Sequence, residues 1–233
     1  YPKLFQLYVR GDKDWVDDNI KSAIDHNYAG ICLTVDLDAY GRRERDLAKR
    51  YRTTSRQSAS GFEYQMRFSW KDIDRIKSYC DLPIIIKGIA TKEDALLAVE
   101  HGVEVVYVSN HGGRQLDYGL GGLNVLPEIV DAIGDNAKII FDGGIMRGTD
   151  VVKAIALGAD CVGVGRLQGL AAAAGGTKAI VRMLELLELE ILTALRLIGV
   201  NSIFDLDKTY LSKDYSFGSL NALSAFPLIG EGY

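Results

Sequence analysis

Residues 105–118 read Val105-Val106-Tyr107-Val108-Ser109-Asn110-His111-Gly112-Gly113-Arg114-Gln115-Leu116-Asp117-Tyr118. The first part, Val105–Ser109, is short and almost continuously apolar, the pattern of a strand buried on both faces of a parallel sheet. The second part follows without a break and carries His, Arg and paired glycines. A buried strand that ends on such residues delivers chemistry at its C-terminal end, which is how a (β/α) barrel is laid out.

The same pattern recurs on either side. Candidate strands are Leu4–Val9, Gly30–Asp36, Leu82–Lys87, Lys138–Asp142 and Cys161–Gly165. Helix-period stretches lie between them at Trp15–His26, Ser69–Tyr79, Thr91–His101, Leu123–Ile133 and Thr149–Leu157. Ser69 and Thr91 stand where N-caps belong, and Asp94, three residues past Thr91, makes a start resembling a capping box. Strict alternation implies βαβ units with right-handed crossovers, hence an α/β fold of six units. A doubly wound sheet would gather its polar residues where the strand order reverses. Here nearly every strand ends on them: Gln6 and Tyr8, Thr34 and Asp36, Lys87, Ser109 and His111, Asp142, Gly165 and Arg166. A TIM (β/α) barrel is therefore expected.

Two segments break the rhythm. Asp46–Arg67 is polar and long for a βα loop, and reads as a mobile lid over a site. Thr177–Leu197 is helical, with apolar residues at Ile180, Met183, Leu184, Leu187, Ile191 and Leu195, read as core packing with an oligomer interface as the alternative. A shorter amphipathic helix is expected near Ser202–Leu206.

Composition narrows the function. The 233 residues carry 27 Lys+Arg against 31 Asp+Glu, a net charge of −4, with 48% hydrophobic residues. That is an ordinary globular balance with no basic stripe for nucleic acid or an anionic membrane. No apolar run reaches the roughly 18 residues of a spanning helix. Three cysteines fall in no disulfide framework, so a reducing, cytoplasmic setting is expected. The three His and three Cys show no ligand spacing, and no metal is expected.

His111 is suited to take a proton near neutral pH, and Arg114 offers a planar fork for a carboxylate. A satisfied loop histidine is the bland alternative. Asp142-Gly143-Gly144 and the later Gly163-Val164-Gly165-Arg166 read as successive turns able to cradle a phosphate on backbone N–H groups. Lys87 ends the apolar run Pro83-Ile84-Ile85-Ile86, where a buried ammonium needs an anion unless it reaches solvent. Asp36 could orient His111 if their strands are neighbours, and Arg43 of Gly41-Arg42-Arg43-Glu44 could join Arg114 on an anionic substrate.

The run from Val108 to Tyr118 closely resembles the signature of FMN-dependent α-hydroxy-acid oxidases and dehydrogenases, the family of glycolate oxidase, lactate oxidase, mandelate dehydrogenase and flavocytochrome L-lactate dehydrogenase. Phe5-Gln6-Leu7-Tyr8, Leu33-Thr34-Val35-Asp36, Gly41-Arg42-Arg43-Glu44, Ile86-Lys87-Gly88, Asp142-Gly143-Gly144 and Gly165-Arg166 follow in family order, from about Phe5 to Leu211. The resemblance implies a TIM barrel with FMN at its C-terminal face. Gln6, Thr34, Lys87 and Ser109 would meet the flavin ring and ribityl region. Asp142, Gly143, Gly144, Ile145 and Met146, with Gly165 and Arg166, would hold the ribityl chain and phosphate. Tyr8, Arg43, His111 and Arg114 would bind an L-2-hydroxy acid such as L-lactate or glycolate, with His111 as base and Asp36 stabilising its protonated form. Oxygen, a quinone or a cytochrome would take the electrons, and relatives are often tetramers.

The resemblance also implies departures. The family barrel has eight strands, and this chain matches the third to the eighth, so an incomplete barrel over residues 1–233 is expected. It opens on Tyr1 rather than Met, which reads as a fragment lacking N-terminal strands. Met146 stands where many members place an arginine on the phosphate, with Arg147 or Arg166 as expected substitutes. Leu37-Asp38 replaces the usual Thr-Pro. A different FMN- or phosphate-binding barrel enzyme and a non-catalytic truncated paralogue are the competing readings.

Overall fold

The structure, a computed structural model, describes residues 1–37, 39, 41, 48–51, 62–116 and 118–212, with the side chains of 62 and 63 left aside. Arg42, Arg43, Glu44, Asp117, most of the expected lid segment and the tail from residue 213 lie outside the described residues. Contacts divide the chain into two compact units, residues 1–140 and 141–233.

The first unit opens with β1 (Leu4–Tyr8), α1 (Lys13–Asp25) and β2 (Gly30–Thr34). The short helix α2 (Phe62–Arg67) and α3 (Trp70–Lys77) lead into β3 (Ile84–Ile89). Then come α4 (Lys92–Glu100), β4 (Val105–Val108) and α5 (Gly122–Ile133). The strands pair in parallel, β1 with β2, β2 with β3 and β3 with β4. Strand β5 (Lys138–Asp142) begins beside β4, where Lys138 N–H donates to the Glu104 carbonyl at 3.0 Å, and carries the chain into the second unit. Strand order follows sequence order, β1-β2-β3-β4-β5 and then β6 (Cys161–Gly163). This is the connectivity of a (β/α) barrel with six of its strands.

Local chemistry explains the helix starts. The Asp12 carboxylate accepts from Trp15 N–H at 2.9 Å and begins α1. Asp72 accepts from Ser69 N–H at 2.9 Å, and Thr91 Oγ1 from Asp94 N–H at 3.2 Å, as the spacing predicts. Each helix buries one stripe: Val16 and Ile20 of α1, Ile73 and Ile76 of α3, Leu126, Ile129 and Ile133 of α5. Ile31 and Leu33 of β2 and Ile84 and Ile86 of β3 are fully buried as well. Strand β2 is buried at every position, as an inner parallel strand should be.

The second unit holds α6 (Gly148–Ala156), β6 (Cys161–Gly163) and α7 (Arg166–Ile198). Val152, Ala156, Leu195, Val200 and Leu206 form its core. Helix α7 starts earlier than its periodicity predicts and is interrupted at Gly175–Gly176, where Gly176 takes φ +59°. Met183, Leu187 and Leu195 of its apolar stripe are buried, whereas Leu184 is 54% exposed. The helix expected near Ser202–Leu206 is a single 3₁₀ turn, Ile203–Asp205, too short to present an amphipathic face. Helix α2 has no counterpart in the periodicity, because six residues give too little pattern.

Candidate active site

Register places the polar residues of the first unit. Tyr8 pairs with Thr34, Thr34 with Lys87 and Lys87 with Tyr107, so these four stand level across β1–β4. Residues two apart on a strand share a face, which adds Gln6 and Ser109 to the row. Gln6 Nε2 donates to Thr34 Oγ1 at 2.8 Å. Lys87 Nζ donates to Ser109 Oγ at 2.7 Å and lies 4.8 Å from the centre of the Tyr107 ring. Thr34 and Ser109 are buried, and Lys87 is half-buried. A hydroxyl and an aromatic face supply part of what the ammonium loses on leaving water.

Strand β3 carries an irregularity between Lys87 and Ile89, and Gly88 in the middle takes φ +113°. The kink answers the question of how Asp36 reaches His111. Their strands are not neighbours, because β3 lies between β2 and β4. Asp36 instead crosses β3 at the glycine: a Cβ on Gly88 would sit 2.7 Å from Asp36 Cβ. Asp36 Oδ1 and His111 Nδ1 are 3.2 Å apart, with side chains only 14% and 10% exposed. A carboxylate partner requires the proton on Nδ1, which leaves Nε2 as the basic nitrogen of the ring. Asp36 Oδ2 is buried without a hydrogen-bond partner among the described residues.

The turn that carries His111 is left-handed, with φ +56° at His111, +68° at Gly112 and +72° at Gly113. Two glycines make the turn cheap, but the histidine within it is strained. Asn110 closes the turn by accepting from Gly113 N–H at 3.2 Å and donating to the Leu120 carbonyl at 3.2 Å. His111 N–H donates to Ser109 Oγ at 3.2 Å, the same oxygen that receives Lys87. The Tyr8 and His111 rings lie 6.3 Å apart. Arg114, exposed, donates from Nε to the His111 carbonyl at 3.3 Å. A cleft of about 910 Å³ opens at this place, lined by Asp36, Gly88, Ser109, Asn110, Gly113 and Gln115 among others.

The structure thus brings Tyr8, Asp36, His111 and Arg114 together, and sets Gln6–Thr34 and Lys87–Ser109 as two bonded pairs. Arg43, expected beside Arg114, lies outside the described residues. Gly88 and Gln115 belong to the site and were missed. Gln115 donates to carbonyls 76 and 79 positions earlier, a relation no local pattern carries.

In the second unit, the turn after β5 runs through Gly143 at φ +117° and Gly144 at +74°. A Cβ at Gly143, Gly144 or Gly165 would meet nothing within 4 Å, so open space adjoins these backbones. Ile145 is buried, and Asp142 and Met146 are half-buried. Arg147, one of the two expected substitutes for the missing arginine, is paired with a carboxylate. Its guanidinium grips Glu190 Oε1 through Nε and Nη2, at 2.7 and 2.6 Å. Glu190 Oε2 also accepts from Gly148 N–H at 2.6 Å. These donors, Arg147 first, hold the Glu190 carboxyl below its ordinary value against the opposing effect of burial. Asp150 takes the N–H groups of Met146 and Arg147 at 3.0 and 2.9 Å, so the α6 N-terminus is filled by the chain's own carboxylates. Arg166 stays exposed at the start of α7. Met146 faces an apolar cleft of about 360 Å³ with Leu167, Leu170 and Met183.

Comparison with known proteins agrees with this layout. Residues 1–213 match the model of the family described as FMN-dependent dehydrogenase. An L-lactate oxidase of Nostoc sp. is 37% identical over 232 residues, covering 89% of this chain and 63% of that protein. An L-lactate dehydrogenase (cytochrome) of Wickerhamomyces anomalus is 39% identical over 222 residues, covering 87% of this chain and 39% of the relative. A crystal structure of mandelate oxidase with (S)-2-phenylpropionate superposes with a TM-score of 0.78 at 37% identity, over 87% of this chain and 60% of the other. The chain therefore spans less than two thirds of the length of these relatives.

Proposed function

Because the chain belongs to the FMN-dependent dehydrogenase family, we propose that it serves the oxidation of an L-2-hydroxy acid to the 2-oxo acid with FMN as cofactor. The observation that carries this reading is the largely buried Asp36–His111 pair, 3.2 Å apart beside Tyr8, with Asp36 on the wall of the cleft. The donor set fits FMN. Within the first unit, Gln6, Thr34, Lys87 and Ser109 form a row of hydrogen-bonding groups and one cation suited to a heteroaromatic edge. Within the second, taken by itself, the open backbones at Gly143, Gly144 and Gly165 suit a phosphate, with Arg166 as its cation.

FMN would supply the two-electron acceptor. The residues of the chain do the rest. Arg114 and Arg43 hold the substrate carboxylate, and Tyr8 orients the hydroxyl. His111 Nε2 takes a proton from the substrate as its two electrons leave, and Asp36 stabilises the imidazolium that results. A general base of this kind contributes about 10²- to 10⁴-fold. L-Lactate, glycolate and L-mandelate are the substrates to try first, because relatives named for each resemble the chain at similar identity. Oxygen, a quinone or a cytochrome would then reoxidise the cofactor.

The test is a visible spectrum of the purified chain with FMN, before and after either acid is added without air. A bound-flavin spectrum that bleaches is expected. His111→Asn should keep the flavin and bleach at least about 100-fold more slowly. Bound flavin that no 2-hydroxy acid bleaches would overturn the substrate assignment, and absence of binding would overturn the cofactor assignment for this chain.

A further inference from the structure

We infer that Gln115 is a positioning residue for His111, acting through the backbone of Asp36, and that Gln65 is its second pin. The inference rests on the role proposed for His111 and asks what holds its partner in place.

Strand β2 ends at Thr34, and the last sheet bond of that segment is Val35 N–H to the Lys87 carbonyl at 2.9 Å. Asp36 therefore sits one residue beyond the ladder, where the backbone carbonyls need other partners. Two side-chain amides supply them. Gln115 Nε2 donates to the carbonyls of Asp36 at 3.1 Å and Ala39 at 3.0 Å. An amide nitrogen carries two N–H groups, so both are committed, and the pair of bonds closes the chain between residues 36 and 39. Gln65, 8% exposed, donates to the carbonyl between them, Leu37.

The two pins come from different places. Gln65 belongs to α2, whose Tyr64 hydroxyl donates to Asp72 of α3 at 2.7 Å and so anchors that short helix. Gln115 lies four residues past His111 on the same turn. It therefore links both members of the Asp36–His111 pair: one through its chain neighbours, the other through its amide. Gly41 shows how close the two segments are, because a Cβ there would lie 2.5 Å from the carbonyl oxygens of Arg114 and Gln115. Neither glutamine needs to touch the substrate to matter. With Gln115 gone, Asp36 keeps its side chain and loses the tether that aims it over Gly88.

Gln115→Met keeps the length and removes the donors. The first readout needs neither flavin nor turnover. Of the three histidines, two face a carboxylate, His101 with Asp74 at 2.6 Å and His111 with Asp36 at 3.2 Å. The downfield imidazole N–H resonance of His111 is therefore identified as the one that disappears in both Asp36→Asn and His111→Asn while that of His101 stays. The His111 resonance should be present in the parent chain and lost in both of these and in Gln115→Met. The second readout is a double-mutant cycle on flavin bleaching. Gln115→Met alone should slow it about ten-fold, the order of the hydrogen bond lost to the Asp36 carbonyl, but less than about two-fold in an Asp36→Asn background. Gln65→Met should give a smaller effect of the same kind. If Gln115→Met does not fold, Gln115→Asn keeps the amide one methylene short of both carbonyls and carries the same test. A resonance unchanged in the variant, its absence from the parent, or equal slowing in both backgrounds overturns the inference. A parent chain that shows the resonance and its loss but never bleaches leaves the clamp standing and overturns the proposed function instead.

Discussion

Gly88 illustrates how one residue without a side chain decides where two functional ones go. Its φ of +113° and the 2.7 Å from its missing Cβ to Asp36 Cβ exclude any larger residue. Gly88→Ala should cost more than about 1 kcal/mol, seen as a lower denaturant midpoint. It should also slow bleaching more than it weakens flavin binding, because Asp36 is displaced while Lys87 is not. At this scale much was legible in the sequence. His111 and Arg114 stand out in one run, and Asp36 and Lys87 at strand ends. What was not legible was the means of contact. Periodicity joins Asp36 to His111 only if their strands are adjacent, and a kink in β3 does it instead. A glycine after a lysine looks like any turn residue until the register shows two residues of β3 where its partner has one.

Between elements, the Glu190 carboxylate ties α7 to the start of α6. It serves Arg147 and the Gly148 N–H at once, and a Cβ on Gly148 would lie 2.5 Å from Glu190 Cβ. The folded carboxyl titrates below its ordinary 4.5. Its contribution is thus complete above that value and disappears as pH falls through the depressed one. Glu190→Gln should lower the melting temperature at pH 7 and flatten its decline between about pH 5 and 3, so the two melting curves converge in acid. Parallel melting losses at pH 7 and pH 3 would count against it. The periodicity of the six strands and the caps at Ser69 and Thr91 gave these elements away. Their ends were less readable. Strand β3 runs on to Ile89 through its kink, and β2 stops at Thr34 because Asp36 turns toward the site.

For the molecule as a whole, the barrel layout followed from where the polar residues fall at the strand ends, and the family from the resemblance carried by the run Val108 to Tyr118. Its division into two compact units did not, since no linker composition marks residue 140. The left-handed turn also bears on the total stability. A residue with a Cβ pays about 1 kcal/mol in that region, and glycine does not. His111→Gly should therefore melt higher than His111→Ala, by about 1 kcal/mol in unfolding free energy. Both variants lack the base, yet the glycine variant leaves an empty slot the shape of an imidazole beside Asp36. Imidazole added to the solution should restore bleaching in that variant. Among replacements of His111, a screen by heat alone would therefore keep glycine over alanine although neither carries the base, and only added imidazole would tell the two apart by their chemistry.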